Sequence, residues 1–274
     1  MDILQSPPGT GPSGMPGAPP PRKLEASQGA AWWGESWRIF LAAPAIWVGM
    51  VVVFAVASTL LVFIPAIGGV LQSVLTPVFA GGIMLGCHAL ARGERLTIGH
   101  LFEGFQGGHF GPLLVLGLIW LAILVGLAVV AVAGAFMALG AGGVSTLLTL
   151  GSDPQADYLT LAPLLLSAGL TFVVITMIAL AVVMLAAMAY WFAPALVVLN
   201  GEPPVSALRK SFDASLQNFG AFLLYSVIYL GLAILASIPV VLGWLVLGPM
   251  MAGSCYAGWR TIFGTRRDAT PTPA

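Results

Sequence analysis

The side chains whose chemistry could reach beyond packing are few: His88, His100 and His109, the carboxylates Glu94, Glu103 and Glu202, and the thiols Cys87 and Cys255. A metal site needs three or four convergent ligands. His100 and His109 do not share the i, i+4 spacing that puts two imidazoles on one helix face, so no metal is expected. The carboxylates fall between apolar stretches, where solvated helix-end charges are the ordinary reading. General acid–base chemistry needs a positioned partner, and the sequence offers none. Both cysteines lie in apolar runs and read as buried thiols, not as a disulfide framework. The glycines at 81–82 and at 140, 142 and 143 lack the Lys-Ser/Thr ending of a phosphate loop. Gly82 and Gly86 have the small-xxx-small spacing of close helix packing. No catalytic residue, metal or cofactor is expected, and the chain is not read as an enzyme.

The elements that would carry these residues are set by composition. Of 274 residues, 59% are hydrophobic and only 7% charged, against about 25% charged in an ordinary soluble domain. Water cannot solvate such a chain, because a fold of this size leaves too much surface exposed. A bilayer can. Ten Lys/Arg balance ten Asp/Glu, and no basic block invites nucleic acid.

A spanning helix needs about 20 apolar residues. Six segments qualify, near 43–65, 67–90, 111–139, 161–199, 221–238 and 240–259. The second and sixth are the least hydrophobic, and each follows a strong span across a short turn, at Pro65 and at Pro239. Every Lys and Arg falls in the N-terminal region, in the second-to-third or fourth-to-fifth connection, or at the C-terminal end. The positive-inside rule then makes both termini cytoplasmic and puts Asp153 and Asp157 on the opposite side. Trp32, Trp33, Trp37, Trp191 and Trp259 fall near the basic boundary and are expected as interfacial anchors.

Each pair of spans is preceded by an amphipathic stretch: Trp33, Trp37, Phe40 and Leu41; then Ile98, Leu101, Phe102 and Phe105, with Thr97 as N-cap; then Val205, Leu208, Phe212, Leu216 and Phe219, with Pro203–Pro204 as a helix start. Gly93–Glu94 and Gly201–Glu202 precede the second and third. Thr76-Pro77-Val78-Phe79-Ala80-Gly81 resembles Gly248-Pro249-Met250-Met251-Ala252-Gly253. The fold class expected is an all-α membrane protein of six transmembrane helices in three hairpins, each preceded by a cytoplasmic interfacial amphipathic helix. The tandem units would be 28–92, 93–200 and 201–264. Residues 1–27, rich in Pro and Gly, are expected to be a disordered tail that contributes little to folding, and 265–274 a second tail.

Within the spans, Gln72, Ser73 and Thr76 form the most polar patch. They either line a path for a neutral or amphipathic solute or tie helices together. No Asp, Glu, Lys or Arg lies at a span's centre, which argues against an ion-coupled pump. Pro77, Pro194 and Pro249 are expected to bend their helices.

The run from Ala31 to Phe40 (AWWGESWRIF), Thr76–Pro77 with Gly81–Gly82, Arg92-Gly93-Glu94 with His100-Leu101-Phe102, Trp191-Phe192-Ala193-Pro194-Ala195-Leu196, and the stretch from Gly258 to Phe263 together resemble a group of uncharacterised proteobacterial multi-pass inner-membrane proteins. The likeness covers roughly 28–264. It is more distantly similar to the membrane-embedded portion attached to some glycerophosphodiester phosphodiesterases, but nothing like their soluble domain is in the sequence, so no activity comes with it. The resemblance implies a compartment and no reaction. The function expected is therefore structural, through membrane lipids and a protein partner at the cytoplasmic face. The alternative is a transporter or lipid-handling protein for a neutral or amphipathic ligand.

Overall fold

A computed structural model describes residues 17–65, 67–152, 162–238 and 242–264. The described residues are helical, with no strand. In order they form α1 (Gln28–Ala42), α2 (Pro44–Val62), α3 (Gly68–Ala91), a 3₁₀ helix (Ile98–Phe105), α4 (Phe110–Ser152), α5 (Ala162–Tyr190), α6 (Ala193–Asn200), α7 (Pro204–Gln217), α8 (Phe219–Ser237) and α9 (Trp244–Phe263). Five helical stretches are long and apolar enough to cross a bilayer: Pro44–Val62, Gly68–Ala91, Phe110–Met137, Gly169–Asn200 and Phe219–Ser237. The chain divides into two compact units. One comprises the residues up to Ile119 and from Met188 onward; the other is Trp120–Ala187, a pair of long apolar helical arms.

Local chemistry sets the helix ends. Prolines open α2 and α7, where the missing N–H costs nothing. Thr97 and His100 cap the 3₁₀ helix, with the Thr97 N–H donating to His100 Nδ1 at 3.1 Å. Gly93 and Gly201 take left-handed φ angles of 79° and 62°. The Glu94 N–H then returns to the Ala89 carbonyl, and the Glu202 N–H to the Leu196 carbonyl. In both places a left-handed glycine ends the helix and the following glutamate N–H satisfies a freed helix carbonyl, five residues back at Glu94 and six at Glu202.

In the first unit α3 is the central helix. Over half of its most apolar stretch is covered by protein, whereas little of α2 or α8 is. Its lower hydropathy follows from facing protein and not lipid. A Cβ on Gly82 would lie 2.5 Å from the His100 carbonyl oxygen, so the small-xxx-small spacing seats the 3₁₀ helix. Helix α9 carries α1 in the same manner: Gly253 abuts Ser36, whose hydroxyl donates to the Met250 carbonyl. The glycines that precede or open α3 and α9 sit alike against the helix before them. Gly68 presses on the Leu61 carbonyl and Gly243 on Ala236, each one residue before the end of the preceding helix.

Three expectations need correction. The tail is not free throughout 1–27: residues 17–27 are described, and Ala18 is buried. Pro194 does not bend one long span; it sits in the first turn of a separate helix, α6. The chain breaks at Trp191–Phe192, where the serines of α7 take over the helix hydrogen bonds. Ser211 Oγ accepts the Phe192 N–H, and Ser211 and Ser215 both donate to the Met188 carbonyl. Trp32, Trp33 and Trp259 are 1%, 5% and 3% exposed, so these three anchor helices to one another and not to headgroups. Trp33 stacks on Tyr225 with ring centroids 4.7 Å apart. Trp37 remains exposed and Trp191 half-buried. Helix α7 buries its small residues Ala207, Ser211, Ala214 and Ser215 against protein and turns Val205 and Leu216 outward. The turn at Pro239 and the connection holding Asp153 and Asp157 lie outside the described residues.

Pro77 and Pro249 are both buried inside helices, in α3 and α9. Four residues after each comes a glycine seated on a neighbour, Gly81 on Leu113 and Gly253 on Ser36.

Candidate functional site at the basic end of the helices

Helices α3 and α9 end side by side, with His88 Nδ1 3.1 Å from the Tyr256 hydroxyl. At this end of the first unit the polar side chains gather. Gly201 turns the chain out of α6 and sets Glu202 just before α7, only 5% exposed. Ser206 and Lys210 follow one and two turns later on α7. Ser206 donates to Glu202 Oε2 at 2.7 Å, and Lys210 Nζ lies 2.5 Å from Oε1. Glu202 Oε1 also accepts the Ala18 N–H at 2.7 Å, and Lys210 donates to the Ala18 carbonyl at 2.7 Å. Burial opposes ionisation of Glu202, but Lys210, Ser206 and the Ala18 N–H outweigh it and hold the carboxyl below its usual value.

Asn218, 2% exposed, sits between α7 and α8. Its Oδ1 accepts the Leu24 N–H at 2.7 Å, and its Nδ2 donates to the Arg22 carbonyl at 3.0 Å. The Arg22 N–H reaches the Ile262 carbonyl, and the Arg22 guanidinium the Gly264 carbonyl at 2.9 Å. Glu35 of α1 pairs with Arg260 of α9. Trp259 Nε1 donates to Asn200 Oδ1 at 2.8 Å, and Trp32 Nε1 to Thr261 Oγ1 at 3.0 Å. The whole is a polar clasp joining the chain's N-terminal segment to α1, α7 and α9.

The residues singled out from sequence do not converge. Gln72 Nε2 donates to Ser58 Oγ at 3.1 Å, tying α3 to α2. Ser73 and Thr76 bond back to the carbonyls of Gly69 and Gln72 on their own helix. His100 is occupied with Thr97, with Glu103 3.8 Å away, and Glu94 pairs with Arg92 at 2.9 Å. Among the described residues no group of three His, Cys, Asp or Glu could hold a metal ion. Sequence reasoning missed Asn218, Ser206 and Lys210. The spacing of Glu202, Ser206 and Lys210, four residues each, is helical and was a usable signal; nothing marked Asn218.

The second unit has its own feature, an apolar groove of about 550 Å³ between its helices. It is lined by Val130, Gly134, Met137, Leu170, Thr171 and Ile175, among others.

No family model matches the chain, and no solved structure matches it. A Burkholderia thailandensis protein, described as a probable inner membrane protein, is 30% identical over 269 residues, covering 91% of this chain and 96% of that protein. Likeness over nearly the whole of both sequences joins the apolar helices in making this an integral, multi-pass protein of the bacterial inner membrane. The chain belongs to the family of that inner membrane protein.

Proposed function

We propose that the protein crosses the inner membrane six times in three hairpins with both termini cytoplasmic, and that it organises lipid and a protein partner at its basic face without catalysing a reaction. The supporting observation is a recurring pairing at that end. Each of the three amphipathic stretches carries, within it or just before it, an exposed arginine near exposed apolar side chains in sequence: Arg38 with Trp37 and Leu41, Arg95 with Ile98 and Phe102, Arg209 with Val205. Such pairs suit the boundary where acyl chains meet anionic headgroups. The like approaches of Gly68 to Leu61 and of Gly243 to Ala236 support equivalent first and third hairpins, with α9 as the sixth crossing. Residues 28–264 would then be one membrane domain of three tandem units. Cross-linking in native membranes followed by mass spectrometry tests the role. A reproducible partner or co-purifying anionic lipid supports it; a monomer that captures neither overturns it.

The groove of the second unit favours the alternative, handling of an amphipathic ligand. Its lining is almost wholly apolar, and it does not include Gln72, Ser73 or Thr76. Saturable binding of a lipid-like dye, abolished by Gly134→Trp, would move the assignment to that reading.

A further inference from the structure

The N-terminal strap, residues 17–24, is held by its main chain. Five of its backbone atoms are bonded: the N–H and carbonyl of Ala18, the N–H and carbonyl of Arg22, and the N–H of Leu24. The reading groups are buried side chains, Glu202 and Asn218, with Lys210 and the Ile262 carbonyl. Of the strap's side chains, Pro20 and Lys23 are exposed, Ala18 and Leu24 pack against the core, and the Arg22 guanidinium bonds the Gly264 carbonyl. The prolines fall where no N–H is required. Donors are taken at 18, 22 and 24, and Pro19, Pro20 and Pro21 occupy the gap between the first two. Proline has no N–H to offer and fixes φ near −65°. A run of three therefore stiffens the segment at no cost in bonds. Clefts that bind extended peptides work in this way, by main-chain hydrogen bonds to a ligand with little freedom to lose.

We infer that the face formed by Glu202, Lys210, Asn218 and the end of α9 is a binding site for an extended, proline-rich peptide, and that residues 17–24 are its resident ligand. The site recognises first a main-chain pattern, an N–H at the first, fifth and seventh positions with prolines between the first two, and second a small residue at the first position and an apolar one at the seventh. The strap governs access, because a second peptide of that pattern enters only when the strap leaves. This names a class of partner for the basic face and rests on the proposed role only for its biological use. Failure to capture a partner in cells would leave the binding measurement below intact.

The test uses the full chain in nanodiscs with a protease site inserted between Ala26 and Ser27. The probe is a fluorescent synthetic peptide of residues 17–27. After cleavage and washing, the protein should bind the probe saturably, at least tenfold more tightly than the uncut chain does. Glu202→Gln with Asn218→Ala should weaken that binding tenfold or more. A probe carrying Leu24→Pro, which lacks the N–H read by Asn218, should lose binding; one carrying Pro20→Ala should keep most of it. A second, uncut variant guards against damage by cleavage. Leu24→Pro within the chain should loosen the strap and let the wild-type probe in. Equal binding to cut and uncut protein, indifference to Leu24→Pro in the probe, or loss of the folded state on cleavage together with exclusion of the probe by the uncut variant would overturn the inference.

Discussion

Gly104 of the 3₁₀ helix sits against Val78 of α3 so closely that a methyl group on its Cα would lie 2.0 Å from the Val78 carbonyl oxygen. The obstacle is backbone, which cannot swing away as a flexible side chain would. Gly104→Ala must therefore push the two elements apart and should destabilise by about 1–3 kcal/mol, the usual range for overpacking. Gly34→Ala is the control. Nothing lies within 4 Å of its added methyl, and Ala in a helix gains about 0.5–1 kcal/mol over Gly. Melting in detergent should fall for the first and hold or rise for the second.

The clasp makes residues 17–27 part of the fold. Glu202→Ala should lower stability by about 1–3 kcal/mol, because it leaves the Ala18 N–H without its acceptor and the Lys210 ammonium without its counter-charge. Removing the N-terminus through Ser27 should do comparable harm by stripping Glu202 and Asn218 of their bonds to Ala18, Arg22 and Leu24. Unchanged melting in both variants would show the strap to be idle.

Acid should release the strap. The carboxyl of Glu202 is lowered on folding, so the unfolded chain binds its proton first as the pH falls. Its contribution is complete above the ordinary value of 4.5 and is lost as the pH drops through the lowered folded value. Limited proteolysis near Ala26 should therefore accelerate below pH 4.5 in the wild type and show no such step in Glu202→Gln.

The tryptophans separate into two classes. Trp33, 5% exposed and stacked on Tyr225, should cost about 3–5 kcal/mol when replaced by Ala. Trp37, 44% exposed, should cost little, and Trp37→Phe should remove the emission quenched by lipids brominated near the headgroup. Loss of that quenching in Trp33→Phe instead would reverse the assignment.

Topology is open to labelling. In a background with Cys87 and Cys255 replaced by Ala, a cysteine at Asp153 should react with an impermeant maleimide from the periplasm, and one at Lys23 only after lysis. The opposite pattern would invert the proposed orientation.

Much of the fold was legible because hydropathy and punctuation are local. Apolar length marked the spanning helices, and Pro203–Pro204 and Thr97 marked two helix starts. The rest turned on which surface faces protein and which faces lipid, and side-chain size misleads there. On α7 the eye follows Val205, Leu208 and Leu216, yet packing selects Ala207, Ser211 and Ala214, because small residues let backbones approach and hydroxyls reach freed carbonyls. Trp33 is as consistent with an interface as with a core until Tyr225 is placed beneath it. The strap was hidden for a related reason. Its composition is that of a loose tail, and its attachment runs through backbone atoms that no residue type announces.

The pairing of α1 with α9 also sets an order of assembly. Ser36 and Met250 stand 214 residues apart, so at about 5–20 residues per second the first helix waits roughly 10–40 s for its partner to be synthesised. Over that interval the Ser36 hydroxyl and the Glu35 carboxylate lack their final partners on α9, Met250 and Arg260. A nascent chain halted before α9 leaves uncovered the face of α1 that carries Ser36 and Glu35, the kind of surface that membrane quality-control proteases remove. Completion of the last helix is what retires that signal.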